Sequence, residues 1–165
     1  MDDDFAAYAH ARQQHLYRTA YLLCGDRDRA QDLVQTTLLS LLRSWRKARL
    51  AENPDAYAKK VLFRAFLAER RRLRREADLH AYATNGAATE QLDAPELRLV
   101  VLAALRSLPP RPRAMIILRY WEDLSVEETA TVLGCSTGNV KSQCSRSLVK
   151  LRAVLGDRLT DLVAH

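Results

Sequence analysis

Apolar side chains along this chain recur at steps of three and four, the spacing that lines one face of an α-helix, and no pair of segments shows strand-like alternation. The pattern predicts an all-α protein. A first helix is expected through Leu16, Tyr17, Ala20 and Leu23, closed by the turn Cys24-Gly25-Asp26. In a second, Ala30, Leu33, Val34, Leu38, Leu41, Leu42 and Trp45 make one continuous buried stripe. The opposite side of that helix carries Asp32, Gln35, Thr36, Leu39, Arg43 and Arg46. Leu39 is thus apolar in the middle of a polar face. It is either an ordinary surface leucine or part of a face on which another protein docks.

Asn53-Pro54 supplies an N-cap followed by proline at the first helical position, where its missing N–H costs no hydrogen bond, so a third helix starts there and runs to about residue 75. Ala58, Val61, Leu62, Ala65 and Leu73 are expected to pack on the second helix. The other side holds Lys60, Arg64, Arg70, Arg71 and Arg74, with Phe63 and Leu67 among them.

Residues 77–95 include Thr84-Asn85-Gly86-Ala87-Ala88-Thr89, lack an apolar stripe and read as a flexible linker between two helical blocks, roughly 5–76 and 96–156. The expected domains are 1–76 and 96–156, with a short tail at 157–165. In the second block, Leu108-Pro109-Pro110-Arg111-Pro112-Arg113 ends one helix and begins another, whose Ala114, Met115, Ile117, Leu118 and Trp121 form a scaffold. Ser125-Val126-Glu127-Glu128 is a capping box, and it starts a helix with Val126, Ala130 and Leu133 inside. Gly134-Cys135-Ser136 then makes a tight turn, and Ser136 caps the next helix. Two helices joined in this way form a helix-turn-helix.

Composition adds the nature of the partner. Lysine and arginine outnumber aspartate and glutamate 26 to 20 in 165 residues, a net charge of +6, which favours a polyanion. Eight of the basic residues lie within 59–75 beside one acid, Glu69, a density that phosphates would neutralise. Phe63 is either a ring that stacks on an unpaired base or a core residue, while Phe66 reads as core. In the last helix Val140, Cys144, Leu148 and Leu151 face inward. Asn139, Ser142 and Arg146 point outward, flanked by Lys141, Gln143 and Ser145, side chains suited to base edges and phosphates. Arg111 and Arg113 can also touch phosphates or be simply solvated. Cys24, Cys135 and Cys144 form no C-x-x-C pair and suggest neither disulfides nor zinc. The acidic start Met1-Asp2-Asp3-Asp4 and the interrupted apolar run at 97–108 argue against export and a membrane span.

Several strings together resemble the extracytoplasmic-function (group IV) sigma factors of bacterial RNA polymerase, in particular those of actinobacteria. Tyr21-Leu22-Leu23-Cys24-Gly25-Asp26 and Ala30-Gln31-Asp32-Leu33-Val34-Gln35 resemble sigma region two. Leu108-Pro109-Pro110-Arg111, Leu118-Arg119-Tyr120, Leu124-Ser125-Val126-Glu127-Glu128-Thr129-Ala130, Leu133-Gly134-Cys135-Ser136 and Val140-Lys141-Ser142 resemble region four. The resemblance covers nearly the whole chain. It implies two helical domains that bind core RNA polymerase and promoter DNA, recognise and help melt the promoter, and carry no catalytic residue, cofactor, metal or small-molecule substrate. Asp32, Gln35, Thr36 and Leu39 would dock on the polymerase clamp coiled coil, with the flap a second contact. Lys60, Phe63, Arg64, Arg70, Arg71 and Arg74, with the loop before them, would engage the minus-ten element. Thr137, Asn139, Lys141, Ser142, Gln143, Ser145 and Arg146 would read the minus-thirty-five element. The family also implies a cytoplasmic protein and an anti-sigma factor that can hold it at the membrane.

Four positions depart from the family pattern: Thr36 stands in place of glutamate, Arg64 of asparagine, Asn139 of threonine and Gln143 of arginine. They bear on the strength of docking and on which bases are read. A stand-alone helix-turn-helix regulator would explain the second block but leave the Asp32/Gln35/Leu39 face without a role. An enzyme is disfavoured because His10, His15, His80 and His165 are scattered, with no nucleophile or phosphate loop beside them.

Overall fold

The computed structural model describes residues 2–79 and 96–156, and all their regular structure is helical. The chain divides into two compact units, 1–89 and 90–165. The expected linker at 77–95 lies mostly outside the described residues, as does the tail at 157–165.

In the first unit, helix α1 (Asp2–Cys24) ends because Gly25 adopts φ 68°, and its N–H donates to the Tyr21 carbonyl at 2.7 Å. Asp26 caps helix α2 (Arg27–Arg43), its carboxylate accepting from the N–H groups of Asp28 and Arg29 at 2.8 and 3.1 Å. Trp45 is buried as its spacing predicts, but the helix itself ends before it. Ser44 turns its hydroxyl back on the Ser40 carbonyl at 2.9 Å, and a separate short helix, α3 (Trp45–Leu50), follows. Leu42, placed in the stripe by its spacing, lies beyond the width that neighbouring helices cover and is 44% exposed.

Helix α4 (Pro54–Leu79) begins as expected, with the Asn53 side chain accepting from the N–H groups of Asp55 and Ala56, and continues to Leu79. Its buried band runs through Ala58, Leu62, Phe63, Phe66 and Leu67. Trp45 anchors one end of the core together with Leu41, Ala48 and Ala58. The rings of Phe5 and Tyr8 pack on it from α1 at centroid distances of 5.4 and 5.2 Å.

The second unit starts with α5 (Glu96–Arg106), which buries Leu102, Ala104 and Leu105. Helix α6 (Pro110–Ile116) opens with proline in its first turn and widens into a π-helical turn over Ile117–Trp121. Ala114, Met115, Ile117 and Leu118 are buried as the spacing predicts. Trp121 is not: the wider turn leaves it 44% exposed. Helix α7 (Val126–Leu133) carries the full capping box, Ser125 and Glu128 each accepting from the other's backbone N–H at 3.0 and 3.1 Å. Gly134 ends it at φ 66°, and Ser136 caps helix α8 (Thr137–Leu155) by accepting from the Asn139 N–H.

Candidate nucleic-acid and polymerase interfaces

On α8 the division of labour follows helical geometry. Val140, Cys144, Ser147 and Leu151 are buried, whereas Thr137, Lys141, Ser142, Ser145 and Arg146 are exposed and Asn139 and Gln143 half-buried. The outward set offers a guanidinium, an ammonium, amides and hydroxyls over three turns, the mixture that grips phosphates and base edges in a major groove. Ser142 keeps its hydroxyl on the Gly138 carbonyl at 3.1 Å, which leaves its lone pairs outward. Burial pushes the Cys144 thiol up, with Arg119 opposing, so the sulfur stays protonated and inert, as befits a core position.

The arginines beneath this pair have structural duties that the sequence reading missed. Arg113 is 3% exposed and donates from Nε to the Leu105 carbonyl and from Nη2 to the Leu108 carbonyl, both at 2.9 Å, closing the end of α5. Arg111 donates to the Leu133 carbonyl, the last of α7, at 2.8 Å. Arg119 donates to the Leu124 carbonyl at 2.6 Å and lies 5.8 Å from the Tyr120 ring. Phosphate contact by Arg113 is thereby ruled out, because its guanidinium is enclosed and already engaged. For Arg113 the available signal was position, five to eight residues beyond carbonyls at the end of α5 that need donors; the Arg111 bond to Leu133 spans 22 residues and left no local signal.

On α4 the outward face is narrower than the wheel suggested. Arg64, Arg71 and Arg74 are exposed, as are Arg72 and Arg75, and Lys60 is half-buried. Phe63, considered as a base-stacking ring, is 0% exposed, so that role is corrected: the ring is core. Arg70 is half-buried, its guanidinium 5.9 Å from the Phe66 ring, so it packs against apolar surface rather than standing fully clear of it. A cleft of about 430 Å³ at the α2–α3 corner, lined by Arg43, Arg46, Lys47, Trp45 and Tyr57, adds cations that the sequence reading had not assigned.

The α2 face holding Asp32, Gln35, Thr36 and Leu39 is exposed throughout, and Leu39 presents 55% of its surface. Gln35 and Leu38 border a groove of about 460 Å³ against His10, Gln14 and Tyr17 of α1. At the start of α4, the Tyr8 hydroxyl donates to Asp55 at 3.1 Å and Arg12 pairs with the other oxygen of that carboxylate at 2.5 Å. Burial, then the neighbouring Asp55 charge and hydrogen bond, push the Tyr8 hydroxyl well above the usual tyrosine range, so it remains a donor. Among the described residues, no helix is long and apolar enough to cross a membrane.

Two family models match the two units separately, Sigma-70 region 2 over residues 8–76 and Sigma-70 region 4 over 98–151. The RNA polymerase sigma-E factor of Streptomyces coelicolor is 35% identical, over 96% of this chain and 89% of that protein. The chain belongs to the ECF RNA polymerase sigma factors. Another relative, the ECF sigma factor EcfG of Rhodopseudomonas palustris, is 33% identical over 82% of the chain and 76% of its own length. Among solved structures, the sigma factor RpoE of Bartonella quintana, crystallised with the anti-sigma factor NepR, matches with a TM-score of 0.74 and 27% identity over 93% of this chain and 98% of that one. As an alternative sigma factor of the actinobacterial type, the protein directs promoter-specific transcription. A stand-alone regulator is not favoured, because the region 2 match lies outside the helix-turn-helix.

Proposed function

We propose that this sigma factor engages the promoter at two separate faces and the polymerase at a third. Arg64, Arg71 and Arg74, with Lys60 and the flank of Arg70, hold the minus-ten element. Thr137, Asn139, Lys141, Ser142, Gln143, Ser145 and Arg146 read the minus-thirty-five element. Asp32, Gln35, Thr36 and Leu39 dock on the clamp coiled coil, and the second unit meets the flap. The observation that carries this reading is that each set consists of exposed or half-buried side chains on a helix that contributes other residues to a core. Thr36 and Arg64, which depart from the family, lie within these exposed faces and so bear on docking and base choice rather than on folding.

In this reading the protein has no catalytic residue and the polymerase performs the chemistry in the cytoplasm. An anti-sigma factor is its expected inhibitor, supported by the NepR complex of the Bartonella quintana relative. Run-off transcription with core polymerase and a panel of single-base promoter variants tests the assignment. Arg146→Ala is expected to relax selectivity at one minus-thirty-five base pair by about 1–3 kcal/mol, leaving core binding intact. Unchanged selectivity at every position would remove Arg146 from the interface.

A further inference from the structure

Among the described residues of the first unit, the segment between α3 and α4 is an exposed loop bracketed by ion pairs to α1. On its near side Arg49 of α3 pairs with Asp4 of α1 at 3.4 Å. On its far side Arg12 of α1 pairs with Asp55 of α4 at 2.5 Å. The polarities are opposite, acid to base and then base to acid, so the two brackets cannot exchange partners without placing like charges together. Tyr8 stands between them, its ring on Trp45 and its hydroxyl on the Asp55 carboxylate at 3.1 Å and the Pro54 carbonyl at 3.4 Å. Asp55 lies in the first turn of α4, where the Asn53 amide oxygen already caps the helix and a carboxylate is favoured by the helix dipole. Residues 51–53, preceded by Leu50, which is 79% exposed at the end of α3, therefore hang from fixed points on both sides.

We infer that Tyr8, Arg12 and Asp55 are positioning residues for promoter opening: α1 acts as a strut that holds the loop at 51–53 and the first turn of α4 in the attitude needed to engage an opening minus-ten element. This inference rests on the proposed minus-ten role of α4. None of the three residues need touch DNA. Arg12 and Asp55 are partly exposed, so their pair is screened and adds little to stability; its value is in direction. A two-point tie through one carboxylate fixes the angle at which α4 leaves its cap, and a misplacement of about 1 Å in a positioning contact can cost on the order of a hundredfold in rate. Because Tyr8 packs its ring on Trp45 while its hydroxyl holds Asp55, loop attitude and core packing are set together.

The test uses full-length protein assembled with core polymerase. Tyr8→Phe keeps the ring on Trp45 and removes the hydroxyl; Asp55→Asn keeps the shape and removes the charge. Transcription from a duplex promoter is expected to fall about tenfold in the Tyr8→Phe/Asp55→Asn double variant, the effect of losing charged hydrogen bonds. Transcription from the same promoter already unpaired across the minus-ten element should stay within about twofold of wild type, because opening is no longer required. Exchanging the charges, Arg12→Asp with Asp55→Arg, should recover part of the duplex activity. Equal activity on the duplex, or an equal loss on both templates, would overturn the strut. Arg64→Ala with Arg71→Ala provides the separate check on the parent reading. If that pair leaves minus-ten binding unchanged, the α4 assignment fails; if it weakens binding while the strut variants transcribe normally, only the strut fails.

Discussion

The two units use arginine in opposite ways. On α4, Arg64, Arg71 and Arg74 stand in solvent on a helix whose other side is buried from Ala58 to Leu67 and half-buried at Leu73. In the second unit, Arg111 and Arg113 point their guanidinium groups at backbone carbonyls at the ends of α7 and α5, and Arg119 at the Leu124 carbonyl in the loop before α7. Cationic density along a sequence therefore does not locate a nucleic-acid face by itself. What locates it is whether neighbouring helix ends already need the donors. A long helix such as α4 has few ends per arginine, and a set of short helices has many.

The sharpest way to break this contrast is to remove one arginine of each kind. Arg113→Met is expected to lower the stability of the second unit by about 2–4 kcal/mol, since it strips two carbonyls of charged donors in a buried site. Arg74→Ala should change stability by under about 0.5 kcal/mol. Thermal or denaturant unfolding of the two variants checks both, and equal shifts would erase the distinction. Next in size, combining Arg64→Ala, Arg71→Ala and Arg74→Ala should reduce the steepness with which minus-ten binding falls with salt by about 2–3, one counterion-release contribution per lost phosphate contact. An unchanged salt slope would mean that these exposed cations are only solvated.

The smallest expected effect concerns the sulfurs of the helix-turn-helix. Because burial raises the Cys144 pKa, its thiolate fraction at pH 8 is depressed, whereas Cys135 sits half-exposed in the turn. Mass spectrometry after brief iodoacetamide treatment should find Cys135 alkylated before Cys144. The reverse order would show that the second unit opens readily around α8.

Helix starts and stops were legible in the sequence because they depend on local hydrogen bonds. Asn53-Pro54, Ser125 with Glu128, and the glycines at 25 and 134 each act within a few residues of themselves. The alternation of inward and outward positions on α8 was legible for the same reason. The placement of Phe63 was not. A helical wheel gives angles but not which arc a neighbour covers, and packing of α4 on α2 and α1 moves the buried arc to Leu62, Phe63, Phe66 and Leu67, leaving Val61 and Ala65 at its margin. The break at Ser44 was not legible because serine is tolerated inside helices, and only its backbone at φ −109° and ψ 21° takes it out of the helical region. The tie from Tyr8 and Arg12 to Asp55 spans more than forty residues, beyond the reach of any local pattern.

The separation of inward from outward residues on α8 also shapes what can vary over time. Val140, Cys144, Ser147 and Leu151 hold the helix in place, so changes there cost folding. Changes at Thr137, Lys141, Ser142, Ser145 and Arg146 are nearly neutral for stability, within about 0.5 kcal/mol each. Under the promoter-reading role proposed for α8, a lineage can therefore redirect such a protein from one set of genes to another by single substitutions, without first acquiring extra stability to tolerate them.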